Sequence, residues 1–312
     1  MRYNKSIIVF LIGALFLFFK CEAQKDIDRV VPKQNGKLYS IAIQNSILEI
    51  DPTVGGRITS LSIHGESFLT DSTINDFNWG STFWPSPQSE WNWPPSAEID
   101  NKPYTVTLEN NEVKMESQKD PKTGLVVTKE FSGSKKNGFY TLKYTLTNQS
   151  DSSQKVAPWE ITRVKINGFT FFPMGEGERT GGLIPLTTET DGICWFTYVL
   201  ANLPKKGDRQ LYSDGHEGWV AEVNGNFILI KRFQDVPFDR IAPKEGEIEL
   251  YTSPIVQNQG YVEIENQGAY EELEVGQSST WEVNWYLKRL PAEIEAKAGN
   301  PKLVSYVRSL IK

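Results

Sequence analysis

"IDPTVGGRITSLSIHGESFL", residues 50–69, is the stretch on which the fold class turns. After the Gly55-Gly56 turn, Leu61 and Ile63 recur at period two with serines between them, and the run ends at His64-Gly65. Alternation of this kind belongs to a strand with one buried face, because successive side chains leave a strand on opposite sides. The same period runs through "KLYSIAI" (37–43), "YTVTLEN" (104–110), "LVVTKEF" (125–131), "FYTLKYTLTN" (139–148) and "TWEVNWYL" (280–287). Between them lie "NQSDSS" (148–153), "NGN" (224–226) and "KEGE" (244–247), whose residue types favour turns. Many strands, short turns and no helical segments among them predict an all-β chain of antiparallel sheets packed as a sandwich.

Residues 291–312, "PAEIEAKAGNPKLVSYVRSLIK", break the pattern. Leu303, Val304, Val307, Leu310 and Ile311 fall on one stripe at helical spacing, Pro301 suits a first turn and Asn300 its cap. A short amphipathic helix covering a sheet edge is expected there. Nothing repeats at a fixed period and no linker divides 36–290, which reads as one domain preceded by an extension at 24–35.

Residues 1–23 stand apart. Arg2 and Lys5 precede the apolar run "SIIVFLIGALFLFF", which is too short to span a bilayer and has the length of a signal-peptide core. Cleavage after Ala23 would export the chain to the periplasm or beyond and leave no transmembrane segment. A lipid anchor at Cys21 is the alternative, with Lys20 standing where a small residue is expected. Removing the leader also discards Cys21, so Cys194 would have no partner for a disulfide. The full chain carries a net charge of −6, and loss of Arg2, Lys5, Lys20 and Glu22 makes it more acidic still. Such a surface repels phosphate backbones, which excludes nucleic acid as a natural partner.

With two histidines, His64 and His216, no His/Cys metal cluster is available, and no phosphate-cradling loop, dinucleotide fingerprint or nucleophile elbow occurs. "DSTINDFN" (71–78) holds two aspartates at a spacing that fits a solvated turn and matches no calcium cage. No cofactor or metal is implied. What stands out is "STFWPSPQSEWNWPP" (81–95), with three tryptophans and four prolines. Proline at this density predicts an ordered loop, since it forbids a helix and interrupts a ladder. Indoles stack on the apolar C–H face of a pyranose, whose hydroxyls need amide or charged partners such as Gln88. Trp84, Trp91 and Trp93 are therefore candidates for a sugar site. Filling the base of the sandwich is their structural alternative, and Trp79 shares it.

Two segments carry a family resemblance. "IDPTVGGRITSLSIHGESFL" resembles the hairpin that opens galactose mutarotase-like (aldose 1-epimerase) domains, and "GYVEIENQGAYEELEVGQSSTWEVNWYL" (260–287) resembles their closing segment. "GSTFWPSP" (80–87) is similar to the loop of the hexose-6-phosphate mutarotase branch. The likeness spans roughly 36–290 and suggests a secreted bacterial branch of that superfamily. It implies a β-supersandwich with sugar in a concave groove, a glutamate as general base and a histidine as general acid.

Carried over by position, the catalytic glutamate falls on Glu265 in "IENQG", with Glu263 two residues earlier as the alternative and Gln267 near its family place. The family histidine has no counterpart. "LTNQSDSSQKVAPWEITRV" (146–164) occupies its segment and holds Trp159, Glu160 and Arg163. His216, in "YSDGHEGWVAEV" beside Asp214, is the substitute acid, or else a turn histidine; a Glu160 of raised pKa is the other candidate acid. His64 reads as structural. Arg57, Arg163 and Arg232 could bind an anionic group bidentately or could pair with neighbouring carboxylates, and Lys231 and Arg232 must face opposite ways. Three functions stay open on one mono- or oligosaccharide theme: an aldose 1-epimerase-like isomerase, a polysaccharide lyase (Arg163, His216, Tyr212) or glycosidase (Glu160, Glu265), and a binder without chemistry. The oligomeric state is left open.

Overall fold

The computed structural model describes residues 28–312; the expected leader, Cys21 and the first residues of the 24–35 extension lie outside them. Two antiparallel sheets face each other. The first has eleven strands, nine of which run in the spatial order Lys33–Asn35, Leu38–Ile43, Ser46–Asp51, Arg57–Ile63, Ser81–Ser86, Gln154–Lys165, Tyr261–Gln267, Ile248–Thr252 and Gln210–Ser213. The second has ten, in the order Thr187–Thr190, Ile193–Tyr198, Gly168–Pro173, Trp219–Asn224, Phe227–Arg232, Ser278–Arg289, Phe139–Asn148, Leu125–Ser134, Glu112–Glu116 and Thr105–Glu109. This is the sandwich of antiparallel sheets that the alternation predicts, in the mutarotase-like supersandwich form that the resemblance implies. Among the described residues no helix is long and apolar enough to cross a membrane.

Each sheet turns one set of alternate residues inward. In Phe139–Asn148, Tyr140, Leu142, Tyr144 and Leu146 are buried while their neighbours are largely half-buried. Across the interface Tyr144 stacks on Phe83 with ring centres 4.3 Å apart, and the Tyr140 hydroxyl meets Ser46 Oγ at 2.8 Å. Each fully buried large apolar side chain contributes roughly 1.5–3 kcal/mol, so this interior dominates the stability.

Residues 81–86 depart from the loop expected for 81–95. Ser81–Ser86 is a fully buried strand in the middle of the first sheet, paired along Gln154–Lys165. Proline is tolerated because Pro85 lies opposite Pro158, so neither strand offers a ladder N–H there. The two carbonyls find other donors: Trp91 Nε1 reaches Pro85 O at 2.7 Å, and the Gly268 N–H reaches Pro158 O at 2.9 Å. Gly80 makes the entry to this strand, at φ +63° and with Ile58 O only 2.3 Å from where a Cβ would stand. Only after Ser86 does the chain become the expected loop.

The C-terminal helix spans Pro301–Leu310, and Asn300 caps it by accepting the Lys302 N–H at 3.0 Å. It lies on a face, not an edge. Leu303, Val304 and Val307 pack with Phe171, Trp195, Trp219, Ile228 and Ile230 on the outer side of the second sheet. Strands there are buried on both faces, so they lack the alternation that marks the others.

Candidate functional site

The outer face of the first sheet carries a cavity of about 530 Å³, within the range of small-molecule sites. Antiparallel register explains its composition, because directly opposed residues share a face. Trp84 opposes Trp159, Ile161 opposes Glu265, and Arg163 opposes Glu263; one strand further, Glu265 opposes Glu249 and Glu263 opposes Tyr251. Tyr212 opposes Glu249, and Gln210 opposes Tyr251. Loops complete the walls with Asn78, Gln88, Asn92, Trp93, Lys244 and Glu245.

On the aromatic side three indoles stand edge-on to Trp84. Trp84 lies 5.5 Å from Trp159, 5.8 Å from Trp93 and 6.0 Å from Trp91, at interplanar angles of 72–77°. Trp84 and Trp159 are nearly buried and Trp93 is 51% exposed, so its ring can meet a ligand. Trp91 sits behind them and lines a neighbouring cleft with Pro94, Pro95 and Pro121.

The opposite side is acidic. Gln210 Nε2 donates to Glu249 at 2.8 Å and to Glu265 at 3.3 Å, so one amide nitrogen touches both carboxyls. Gln267 Nε2 donates to Glu249 at 2.7 Å and to Glu245 at 3.4 Å; the Gly246 N–H donates to Glu249 at 2.9 Å and the Gln88 N–H to Glu245 at 2.8 Å. Trp159 Nε1 donates to Glu265 at 2.9 Å. Burial, with Glu263 nearby, pushes Glu265 up to about 8. Burial together with Glu265 and Glu245 pushes Glu249 well above the usual carboxylate range, and burial raises Glu245. Glu263 is held by Arg163 Nε at 2.7 Å. Carboxyls this close do not all ionise, so near neutral pH the cluster retains protons that can be donated. Among the described residues no group of three or more His, Cys, Asp or Glu side chains is arranged to hold a metal ion.

Several expected site residues thus meet in one hollow: Trp84, Trp93, Trp159, Gln88, Glu263 and Glu265. Gln267 and Arg163 lie beneath its floor. Arg163 is wholly buried and committed to Glu263, to Thr82 Oγ1 at 3.0 Å and to Asn78 Oδ1 at 3.2 Å, with its guanidinium 5.3 Å from the Trp84 ring centre.

The others stand elsewhere. Glu160 faces the opposite way from Trp159, into the space between the sheets. There it pairs with Lys231 Nζ at 2.9 Å and accepts from Tyr144 at 2.7 Å and Trp285 at 3.1 Å. An odd number of residues separates it from the floor positions, which decides its face. His216 lies outside the cavity, with a side chain 63% exposed and 3.9 Å from Asp235. Its neighbour Asp214 accepts the Gly177 N–H at 3.0 Å and shapes that loop. Arg57 is buried against Asp100 at 3.2 Å, and Trp79 lies over its guanidinium. Arg232 donates to the Gly218 and Phe233 carbonyls and fixes a turn on the second sheet. Lys231 and Arg232 do diverge, and neither reaches the cavity. His64 occupies its hairpin turn at φ 51°.

Sequence reading missed Gln210, Glu245, Glu249 and Tyr251. The signal lies in "KEGEIEL" (244–250), where glutamates recur at 245, 247 and 249, but "KEGE" (244–247) by itself reads as a turn. Glu247 supports a neighbouring loop, accepting the Val236 N–H at 2.8 Å.

Residues 38–288 match a family described as a domain of unknown function, DUF4380. None of the curated proteins matches the chain. Among solved structures, a galactose mutarotase related enzyme from Lactobacillus acidophilus superposes with a TM-score of 0.55 at 9% identity, over 83% of this chain and 99% of that one. A galactose mutarotase-like protein from Lactobacillus casei ATCC 334 gives 0.52 at 12% identity, over 83% and 100%. A TPR-domain containing protein from Parabacteroides distasonis ATCC 8503 gives 0.59 at 14% identity over 84% of this chain, which spans 49% of that protein's length. At these identities the likeness is one of fold.

Proposed function

We propose that this chain, which belongs to the DUF4380 family, binds a saccharide in the tryptophan–carboxyl cavity and exchanges its anomers. One observation carries the reading: an indole wall and a pair of carboxyls bridged by a single amide nitrogen share one hollow. The galactose mutarotase names borne by proteins of the same fold support it by analogy.

In the proposed reaction ionised Glu265 removes the proton from the anomeric hydroxyl while protonated Glu249 donates one to the ring oxygen. The C1–O5 bond breaks, C1 becomes an aldehyde, and rotation followed by the reverse transfers closes the other anomer and restores both carboxyls. Two carboxyls in unlike environments can divide acid and base roles in this way. The tryptophans orient the ring and exclude water from one face. Export of the protein belongs to the proposal and rests on residues 1–23.

A uronate lyase finds less support, since Arg163, the arginine expected to meet a uronate, is already paired with Glu263 beneath the floor. Binding without chemistry is the second reading, favoured by a lining that contains no histidine. Proton NMR of freshly dissolved α-glucose and α-galactose decides between them. Catalysed anomer exchange that Glu265→Gln abolishes supports isomerisation; binding with exchange at the uncatalysed rate supports the binder.

A further inference from the structure

The charge inventory of the cavity is lopsided. Glu245, Glu249, Glu263 and Glu265 face it together with Tyr212 and Tyr251, against Lys244 on the rim, Arg209, whose guanidinium lies 5.8 Å from the Tyr251 ring centre, and Arg163 beneath the floor. Arg163 is spent on Glu263. Among the described residues, Glu245, Glu249 and Glu265 make no ion pair; their partners are the neutral donors of Gln210, Gln267, Gln88, Gly246 and Trp159, and Glu245 and Glu249 also hydrogen-bond to each other. Gln267 supports the cluster from beneath the floor, where its Nε2 is held by Glu249 and Glu245.

We infer that the saccharide this cavity selects carries an ammonium group, as in a 2-amino-2-deoxy hexose or a chain of such units. The inference rests on the saccharide reading above and narrows its substrate class. An ammonium presents three donors and no acceptor, which complements a set of carboxylates. It supplies the positive charge that the cluster otherwise takes up as protons. Indole faces add cation–π attraction. A carboxylate, sulfate or phosphate on the sugar would meet like charge, and an N-acetyl group would set a carbonyl oxygen against acceptors. In a 2-amino sugar the charge sits one carbon from the anomeric centre, so one cluster can hold the ammonium and serve C1. As the ammonium enters, the cluster gives up a proton to solvent.

Titration calorimetry at pH 7 with the full-length chain tests this, using glucosamine, galactosamine, glucose, galactose, N-acetylglucosamine and choline in phosphate and in HEPES. The amino sugars are expected to bind at least ten-fold more tightly than neutral or N-acetylated ones. Their apparent enthalpy should differ between the buffers, reporting proton release. Glu249→Gln, or Glu245→Gln nearer the rim, should erase the preference. Neutral hexoses binding as tightly as the amino sugars overturns the inference and leaves the saccharide reading standing. Choline binding as tightly as glucosamine, with hexoses ignored, overturns the sugar part, and no binding by any of these compounds overturns both.

Discussion

Trp159 and Glu265 sit diagonally across the central strand pair of the first sheet, and the indole Nε1 donates to the carboxyl at 2.9 Å. The bond ties the aromatic wall to the acidic one. It favours ionised Glu265 against the burial that drives it toward neutrality. Trp159→Phe keeps a ring and removes the donor. A bond of this kind contributes about 1 kcal/mol, which is somewhat under one pH unit. The limb of the pH–rate profile that depends on deprotonated Glu265 is therefore expected to move to higher pH by about half a unit to one unit. An unmoved limb would mean that Glu265 is not the base.

Burial also makes the site a source of pH-dependent instability. Glu265 and Glu247 are each pushed to about 8, well above a carboxyl in the unfolded chain. Between about 4.5 and 8 the unfolded state has lost protons that the native state keeps, so these groups lower stability as pH rises and the loss is complete above 8. Glu247→Gln and Glu265→Gln are neutral in both states. Each should raise Tm relative to wild type at pH 8 and change it little at pH 4.5. Lys129, which burial pulls down to about 7, contributes a trend of opposite sign in both proteins, so the difference isolates the glutamate. Equal shifts at the two pH values would contradict the raised pKa.

Glu160 and Lys231 form an ion pair between the sheets, each almost wholly buried. Tyr144 and Trp285 hold the carboxylate, and Asn266 Oδ1 at 2.8 Å and Ile264 O at 3.1 Å hold the ammonium. Removing one partner leaves an unpaired charge in a dry interior, so Glu160→Gln or Lys231→Met should cost about 3–5 kcal/mol in urea unfolding. The double variant Glu160→Gln/Lys231→Met should lose markedly less than the two single losses together. Additive losses would show that the pair is not coupled.

How far the chain reveals itself depends on what each side chain faces. Strands with one wet face, such as Phe139–Asn148, display period two and are legible. Gly168–Pro173 and Trp219–Asn224 lie between the interior and the C-terminal helix, are buried on both sides, and read as apolar runs without a phase. In the cavity, Trp84, Trp93 and Glu265 stood out by residue type and by likeness to a motif. Glu249 and Gln210 did not, because their role comes from pairing with strands far away in sequence. Glu160 misled for the complementary reason: it is one residue from Trp159 and so faces the other way.

Trp84 and Trp93 allow stacking to be separated from folding. Trp84 is nearly buried, donates Nε1 to Asp100 at 2.8 Å and touches three other indoles, so Trp84→Ala should cost about 3–5 kcal/mol of stability along with binding. Trp93 is half exposed, makes T-shaped contacts with Phe77 and Trp84, and lines the cavity and the neighbouring cleft. Trp93→Ala should leave the urea midpoint nearly in place and weaken saccharide binding several-fold to about ten-fold, the size of a stacking contact of roughly 1 kcal/mol. The checks are urea unfolding of both variants and calorimetry of Trp93→Ala with the tightest sugar found. Unchanged affinity in Trp93→Ala would remove the exposed indole from the binding surface and leave Trp84 and Trp159 as its aromatic part.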